Sequence, residues 1–154
     1  MITSPKITTT ADITLVTLQN CPSELKFVAG VFEKIGSLGV DVDMISLAPS
    51  HGAFTSISFT ISDADLVKIL NFTAEVREKG NVKAIVSSGN NKISVYDEGM
   101  KQLPGVAAEV FKAAASSGAD IRLITTSEVD ISLLVTAADF AEALKAIKNR
   151  FQAS

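Results

Sequence analysis

The sequence has a single cysteine, Cys21, and a single histidine, His51, among its 154 residues. One cysteine excludes an intramolecular disulfide framework and any zinc site with several cysteine ligands, so we predict no metal site. A catalytic pair made of these two residues would need a third group that orients the base, and the sequence gives no sign of one. We therefore predict neither catalytic residues nor a cofactor.

The sequence also lacks a basic cluster and a long apolar run. Its 14 Lys and Arg residues against 17 Asp and Glu give a net charge of -3, which provides no attraction for a phosphate backbone. The longest apolar runs, such as residues 131–135, fall far short of the roughly 20 residues that a membrane-spanning helix needs. Residues 1–6 lack the charged and apolar regions of a secretory signal. We expect no nucleic-acid partner, no membrane contact and a cytoplasmic location.

Hydrophobic residues make up 47% of the chain, which is ample for one ordinary core or for two small ones. The chain also repeats itself, and such a repeat bears on the whole fold. Phe32 recurs as Phe111, and Ser58 recurs as Ser132. The second copy is shorter between these two positions and has lost five residues between neighbouring strands, a change that loops accept.

The first copy has the pattern of a βαββαβ unit. Its predicted strands are residues 13–18, 40–47, 54–61 and 82–86. The apolar stripe of its first helix consists of Leu25, Val28, Val31, Phe32, Ile35 and Leu38, before a stop at Gly36 or Gly39. The second helix has Ser62 as its N-cap and presents Leu66, Ile69, Leu70 and Val76. We expect Met44 and Phe59 in the core and His51 in an exposed turn.

The second copy repeats these elements but lacks a final strand. Its predicted strands are residues 93–96, 119–125 and 129–135, and its helices start at Pro104 and Asp139. After the last helix only residues 152–154 remain, so one edge of the sheet would be unpaired. We predict that residues 6–10 pair at this edge. The second domain is then discontinuous, with residues 5–10 and 89–154, and the first repeat, residues 11–88, is inserted in it.

Two successive βαββαβ units, each with a glycine-ended helix before its second strand, resemble the ACT domain, a ferredoxin-like α+β module. Several segments look more specifically like the C-terminal regulatory region of aspartate kinases: residues 42–45, 58–60, 93–95, 103–108 and 124–132. The resemblance covers residues 7–151. It implies an α+β fold of two ferredoxin-like ACT units in tandem, the first inserted into the second, in agreement with the count of strands.

In aspartate kinases, a kinase domain transfers phosphate from ATP to aspartate, and the ACT pair binds lysine, threonine or both as feedback inhibitors. No glycine-rich phosphate-binding loop occurs in this sequence. The resemblance implies a non-catalytic part or subunit of an aspartate kinase that senses lysine and/or threonine at an interface between ACT units. It also implies a homodimer and a kinase domain in cis or in trans.

Two other functions stay open at this point. The chain could be a stand-alone amino-acid-binding or protein-interaction module without an attached kinase. It could also be a small ferredoxin-like enzyme.

A free amino acid presents a cation and an anion on adjacent atoms, so its site needs acceptors for the ammonium and donors for the carboxylate. Amides at a helix start provide such donors, and we expect those of residues 25–28 to bind the carboxylate. The resemblance implies an effector pocket at the loop before the first helix, at the next two strands and at a turn of the second repeat. The expected effector-binding residues are Asn20, Ser23, Glu24, Leu25, Lys26, Phe27, Val28, Ser46, Leu47, Thr55, Ser56, Gly105, Thr125, Thr126, Ser127 and Glu128.

Two positions depart from the family's pattern. The first loop usually has Asp-x-Pro-Gly, where residues 23–26 of this chain have Ser-Glu-Leu-Lys, which leaves Glu24 as a displaced candidate acid. Leu47 replaces a glutamine, and the loss of its amide costs about 1–3 kcal/mol if a buried ligand group is left unsatisfied. We expect altered or weakened binding at the first repeat. Ser127 and Glu128 have an alternative interpretation as residues that shape a β-turn.

Overall fold

The structure, a computed structural model, describes residue 2 and residues 4–152, apart from the side chain of Gln152. The described residues fall into two compact units. Residues 12–88 form the first, called the continuous unit below. The described residues of 1–11 and 89–154 form the second, called the split unit. Each unit has its own hydrophobic core.

The continuous unit consists of a four-stranded sheet and two helices. Its elements in chain order are the second part of β1 (Lys6–Pro22), α1 (Leu25–Ser37), β2 (Ile45–Leu47), β3 (Phe54–Ser62), a 3-10 turn (Asp63–Asp65), α2 (Leu66–Glu78) and the first part of β4 (Lys83–Tyr96). The strand order is β2-β3-β1-β4, and β3 pairs antiparallel with both of its neighbours. This combination is the ferredoxin-like α+β arrangement.

Both helices of the continuous unit pack on one face of its sheet. Val16 lies opposite Phe59 in the pairing of β1 with β3, and both side chains are fully buried. Since successive side chains of a strand alternate between the two faces, this register turns both residues toward the helices. Ile35 of α1 and Ile69 of α2 are fully buried in the same cluster, and the ring of Phe32 meets that of Phe59 edge-on at 5.6 Å.

Most predicted features of the two helices are confirmed, and two are wrong. Leu25 is 76% exposed because it is the first residue of α1, whose buried residues lie further along the helix. Leu70 is 48% exposed because the buried stripe of α2 runs through Ile69, Phe72 and Thr73, which are spaced three and four apart. The Ser62 hydroxyl accepts the amide of Ala64 at 3.3 Å as an N-cap, although it caps the 3-10 turn that leads into α2.

The predicted strand of residues 40–47 is much shorter in the structure, where β2 is Ile45–Leu47. The amide of Met44 donates to the Thr60 side-chain oxygen at 2.9 Å, and the amide of Thr60 donates to the carbonyl of Met44 at 3.0 Å. The Thr60 hydroxyl therefore accepts the Met44 amide in place of the Thr60 carbonyl, which would accept it in a regular ladder. The regular strand β2 begins at the next residue, Ile45. The expected burial of Met44 and Phe59 and the exposure of His51 are confirmed.

The split unit has the same strand order. Its elements are the first part of β1, the second part of β4, a 3-10 turn (Glu98–Met100), α3 (Val106–Ser116), β5 (Ile121–Thr126), β6 (Asp130–Thr136) and α4 (Ala137–Gln152). The order is β1-β4-β6-β5, and β6 pairs antiparallel with both neighbours. Residues 6–11 belong to this unit, and Ile7 packs against its core.

Two predicted helix starts of the split unit are wrong, and two predicted strands join into one. Pro104 lies before α3 because Gly105 occupies the N-cap with φ 94°, a left-handed conformation that a helix does not include. The predicted strands of residues 82–86, in the continuous unit, and 93–96, in the split unit, join in the single strand β4, which begins at Lys83 and whose polar middle gave the pattern of a loop. The last helix begins at Ala137 rather than Asp139, and the Asp139 carboxylate instead accepts the amide of Asp120 at 3.0 Å.

Burial predicts how unequally two leucines of the continuous unit contribute to stability. Leu18 is fully buried and Leu25 is exposed. We expect Leu18→Ala to lower the free energy of unfolding by about 2–5 kcal/mol, because it removes buried methyl groups and leaves a cavity. The matched change Leu25→Ala should cost less than about 0.5 kcal/mol. Urea unfolding followed by circular dichroism measures both, and equal losses would contradict the described core.

Candidate functional site

A bulge positions the end of β1. The register of β1 against β3 shifts between Leu18 and Cys21, and Asn20 within it has φ 62°, a left-handed conformation that asparagine tolerates better than most residues. The Asn20 side-chain amide donates to the carbonyl of Asn81 at 3.1 Å. After this bulge, Cys21 and Pro22 continue to pair with β3, which places Ser23 beside the start of that strand.

Several predicted effector residues of the continuous unit gather at these strand ends. The amide of Ser23 donates to the carbonyl of Ala53 at 2.8 Å. The Thr55 hydroxyl donates to the carbonyl of Ala48 at 2.6 Å, and the amide of Ala48 donates to the carbonyl of Ser56 at 3.0 Å. Leu47, the last residue of β2, directly precedes Ala48. The structure therefore brings together the backbones of Ser23, Leu47, Thr55 and Ser56. The side chains of Thr55 and Ser56 lie on opposite faces of the sheet, because successive residues of β3 alternate.

Ser46 does not share a face with Leu47. It lies opposite Ser58, whose hydroxyl is 3.3 Å from that of Thr17, so these three hydroxyl groups form a row on the face away from the helices. The split unit repeats this row with Thr125 opposite Ser132 and the Ser94 hydroxyl 2.8 Å from that of Ser132.

The start of α1 offers fewer amides than expected. The amides of Phe27 and Val28 donate to the carbonyl of Glu24 at 3.0 and 3.4 Å, so they are not available to a ligand carboxylate. The side chain of Val28 packs against the core, and Leu25 points into solvent. We expected the amides of residues 25–28 to bind a ligand carboxylate. For the amides of Phe27 and Val28 this expectation is wrong.

A cavity of about 510 Å³ lies between α1 and α2. Glu24, Lys26 and Phe27 line it from the start of α1, with α2 forming the other wall. A neighbouring cavity of about 320 Å³ is lined by Asn20 and Phe27, among others. The charged and aromatic residues of the predicted site thus face the helix side of the unit, whereas Ser46 faces the opposite side of the sheet.

In the split unit, Ser127 and Glu128 line a cavity of about 370 Å³ together with Met100, Lys101 and Gln102. Its outline combines a carboxylate, an ammonium group, an amide and a hydroxyl group. Lys101 and Gln102 were not predicted from the sequence. The repeat that aligns Phe32 with Phe111 also pairs the predicted Ser23 with Gln102, and extending the repeat through this loop would have found it.

The interpretation of Ser127 as a turn residue is confirmed. Its amide donates to the carbonyl of Asp130 at 2.8 Å, and its hydroxyl accepts the amide of Val129 at 3.2 Å. These bonds leave Glu128 exposed at the tip of the turn, beside the cavity. Thr126 is exposed at the end of β5.

Gly105 does not join Ser127 and Glu128. It lies in a separate cavity of about 220 Å³ at the start of α3, whose lining includes Leu103 and Phe151.

The ammonium group of Lys101 has a partner in Glu98, whose carboxylate lies 3.1 Å away. Tyr96 also donates to that carboxylate at 2.6 Å. The bond from Tyr96, reinforced by Lys101, holds the pKa of Glu98 below its usual value, and the same bond raises the pKa of Tyr96. Both groups are at the surface, so we expect Lys101 to remain able to bind a second anion.

Cys21 and His51 do not have the surroundings of a catalytic pair. Cys21 is fully buried and its thiol donates to the carbonyl of Leu18 at 3.4 Å, whereas His51 is exposed in the loop between β2 and β3. Burial raises the pKa of the Cys21 thiol, which disfavours the nucleophilic thiolate. In the described residues, no three His, Cys, Asp or Glu side chains cluster as metal ligands would. None of the helices described is both long and apolar enough for a membrane span.

Comparison with known proteins identifies the fold's relatives. Residues 93–151 match the family model of the ACT domain. The aspartokinase of Bacillus sp. (strain MGA3) is 28% identical over 144 residues, which are 93% of this chain and 35% of that protein. The aspartokinase of Thermus thermophilus is 32% identical over 133 residues, which are 85% of this chain and 33% of that protein. The chain thus spans about a third of the length of the curated relatives it matches.

A solved structure matches almost the whole chain. The ligand-free regulatory subunit of aspartate kinase from Thermus thermophilus superposes with a TM-score of 0.87 at 28% identity, covering 98% of this chain and 99% of that one. Residues 93–151, which lie in the split unit, are therefore similar to the ACT domain. The chain as a whole is a homologue of the regulatory region of aspartokinases, and its described residues contain no kinase domain.

The buried thiol predicts slow modification. We expect Cys21 in the folded protein to react with a thiol reagent at pH 8 at least about a hundredfold more slowly than in urea, because the thiolate is disfavoured and inaccessible. The folded state holds the thiol proton more tightly than the unfolded chain. The free energy of unfolding should therefore fall as pH rises above the ordinary thiol pKa, and this decline should be weaker in Cys21→Ala. Rapid labelling of the folded protein would contradict the described burial.

Proposed function

We propose that this chain is the allosteric regulatory module of an aspartokinase and that it senses lysine and/or threonine as a feedback effector of aspartate-family amino-acid biosynthesis. The observation that carries the proposal is the match to a regulatory subunit of aspartate kinase along 98% of this chain and 99% of that one. The kinase domain that it regulates is supplied in cis or in trans. ATP and aspartate are soluble substrates, so a cytoplasmic location belongs to the same proposal.

We further propose that residues 11–88 form one ACT unit inserted into a second, made of residues 5–10 and 89–154. The internal repeat supports this arrangement, and so does the strand order that the two units share. The effector site lies at an interface between ACT units, and a homodimer supplies that interface.

The chemistry of the 370 Å³ cavity supports an amino acid as the ligand. Glu128 can accept hydrogen bonds from an α-ammonium group, while Lys101 and Gln102 can donate to an α-carboxylate. In the continuous unit, the Glu24 carboxylate and the neighbouring Ser23 hydroxyl offer a second set of acceptors. Leu47 takes the place of an amide there, which favours the split unit as the stronger of the two sites.

Binding between two subunits would link effector occupancy to the geometry of the dimer. A ligand shifts a conformational equilibrium only by the difference in its affinity for the two states. An effector that contacts both subunits binds more tightly to the arrangement that closes the site around it. The kinase domain would respond to that arrangement, which is the coupling between two sites that allostery requires.

Calorimetric titration of the full chain tests the proposed ligand. We expect lysine or threonine to give saturable heat and methionine to give none. Glu128→Gln should weaken the binding by about tenfold or more, because hydrogen bonds to a charged partner contribute about 1.5–3 kcal/mol. Glu142→Gln, at an exposed position on α4, is the matched control and should stay within about twofold of the unsubstituted chain. Absence of heat with both lysine and threonine would overturn the proposed sensing role.

The proposed homodimer can be tested at the edge of the continuous unit's sheet. Ile45 and Leu47 on the edge strand β2 are 50% and 52% exposed, and an apolar edge of this kind favours association. We expect Ile45→Lys to convert the dimer into a 16.2 kDa monomer, because a charge would be buried at the contact. Val67→Lys, at an exposed apolar position on α2, should remain dimeric. Light scattering after gel filtration distinguishes these outcomes, and a dimeric Ile45→Lys would exclude this edge as the interface.

A further inference from the structure

The two units have equivalent grooves between their helices. Aligning Phe32 with Phe111 pairs Gly30 of α1 with Glu109 of α3, and aligning Ser58 with Ser132 pairs Val76 of α2 with Arg150 of α4. Gly30 and Val76 line the cavity of about 510 Å³ in the continuous unit. Glu109 lines the cavity of about 220 Å³ in the split unit. The same place in the fold is therefore wide in one unit and narrow in the other.

In the split unit, an ion pair and an aliphatic side chain narrow the groove. Arg150 contacts one Glu109 carboxylate oxygen with Nη2 at 2.6 Å and with Nε at 2.7 Å, which ties α4 to α3. Ile2 forms part of the cavity lining and is only 6% exposed. It reaches this position from the segment that precedes β1. A branched aliphatic side chain from outside the two helices thus covers part of one groove of this fold.

In the continuous unit, the equivalent groove has neither feature. Gly30 has no side chain, and apart from its chain neighbours and the nearby backbone of its own helix, no atom lies within 4 Å of the position that a Cβ would take. Val76 replaces the arginine, so no ion pair can join the two helices at these positions. Phe27 and Val31 of α1 and Phe72 of α2 give the cavity apolar walls. These walls have the chemistry that Ile2 meets in the other unit.

We propose that the cavity between α1 and α2 is a docking site for an extended polypeptide segment of a partner protein, which inserts a branched aliphatic side chain beside Gly30. We infer a branched aliphatic side chain because Ile2 lines the equivalent groove of the split unit. The neighbouring cavity of about 320 Å³ shares Pro22, Phe27, Val76 and Lys79 with the first. The two together form a groove longer than one residue, as an extended segment requires.

Charged groups border this groove on both helices. Glu24 and Lys26 lie at its α1 side, and Glu75 and Lys79 lie at its α2 side. Groups of both signs at the rim suit a polypeptide, whose amides and carbonyls need donors and acceptors beside the buried anchor. The inference does not depend on the stronger proposed effector site, because that site is the 370 Å³ cavity of the split unit, whereas this groove of the continuous unit takes an apolar side chain.

A labelled peptide tests the docking site on the full chain. The probe is a fluorescein-labelled peptide with the sequence of residues 1–8, which contains the aliphatic residue that covers the equivalent groove. We expect saturable binding by fluorescence anisotropy, and about tenfold or more weaker binding for the same peptide with Ile2→Ser, because burying an aliphatic side chain supplies the affinity.

Two glycines of α1 provide matched protein variants. Gly30→Leu fills the cavity and should weaken binding of the unsubstituted peptide by about tenfold or more. Gly36→Leu makes the same change in the same helix outside the cavity, where a Cβ also meets no neighbour, and should bind within about twofold of the unsubstituted chain. Both changes raise helix propensity, so both variants are expected to fold, which circular dichroism verifies. Binding of lysine or threonine at the 370 Å³ cavity of the split unit, which Gly30 does not line, should be unchanged in Gly30→Leu, and this separates the inference from the stronger proposed effector site.

Three results would overturn the inference. The first is equal affinity for the two peptides, or no saturable binding of either. The second is unchanged binding to Gly30→Leu, which would assign the peptide to another surface. The third is full competition by free isoleucine at a concentration near that of the peptide, which would make the occupant a small molecule rather than a polypeptide.

Discussion

The antiparallel register of β3 against its neighbours is the constraint on which the continuous unit depends. Val16 and Phe59 lie directly opposite each other, as do Leu18 and Ile57, so the four side chains share one face of the sheet, the face that packs on the helices. A shift of one residue would turn this apolar set to the other face, where Ser46, Ser58 and Thr17 now lie. The position of the strand ends, and with it the grouping of Ser23, Thr55 and Ser56, follows from the same register.

Much of this fold could be predicted from the sequence because its signals are periodic. The helices and the buried positions of β3 follow from apolar spacing, and the repeat indicates that the elements occur twice. The errors arise where a tertiary contact, the exact phase of a helix or a backbone conformation overrides the local pattern. Thr60 shortens β2 through its side chain, and Leu70 lies beside the buried stripe rather than in it. The left-handed conformation of Gly105 sets the start of α3. The presence of a glycine alone does not reveal that it adopts this conformation.

The candidate site was less predictable, because it depends on which loops meet. Ser127 and Glu128 were found through resemblance, but their neighbours Lys101 and Gln102 come from a loop that has no pattern of its own. The sequence also does not show which backbone amides are free to bind a ligand. Those of Phe27 and Val28 already donate hydrogen bonds within the start of the helix. Resemblance thus locates the region of a site, while the surrounding side chains and the free donors have to come from the structure.

The shortness of β2 limits how another chain could pair with it. Three residues expose very few backbone donors and acceptors along this edge, and the bond from the Met44 amide to the Thr60 hydroxyl interrupts the regular ladder just before the strand. Fibril-like stacking needs a long, regular row of such groups. The edge can therefore display Ile45 and Leu47 to a specific partner while it resists indefinite growth into cross-β aggregates.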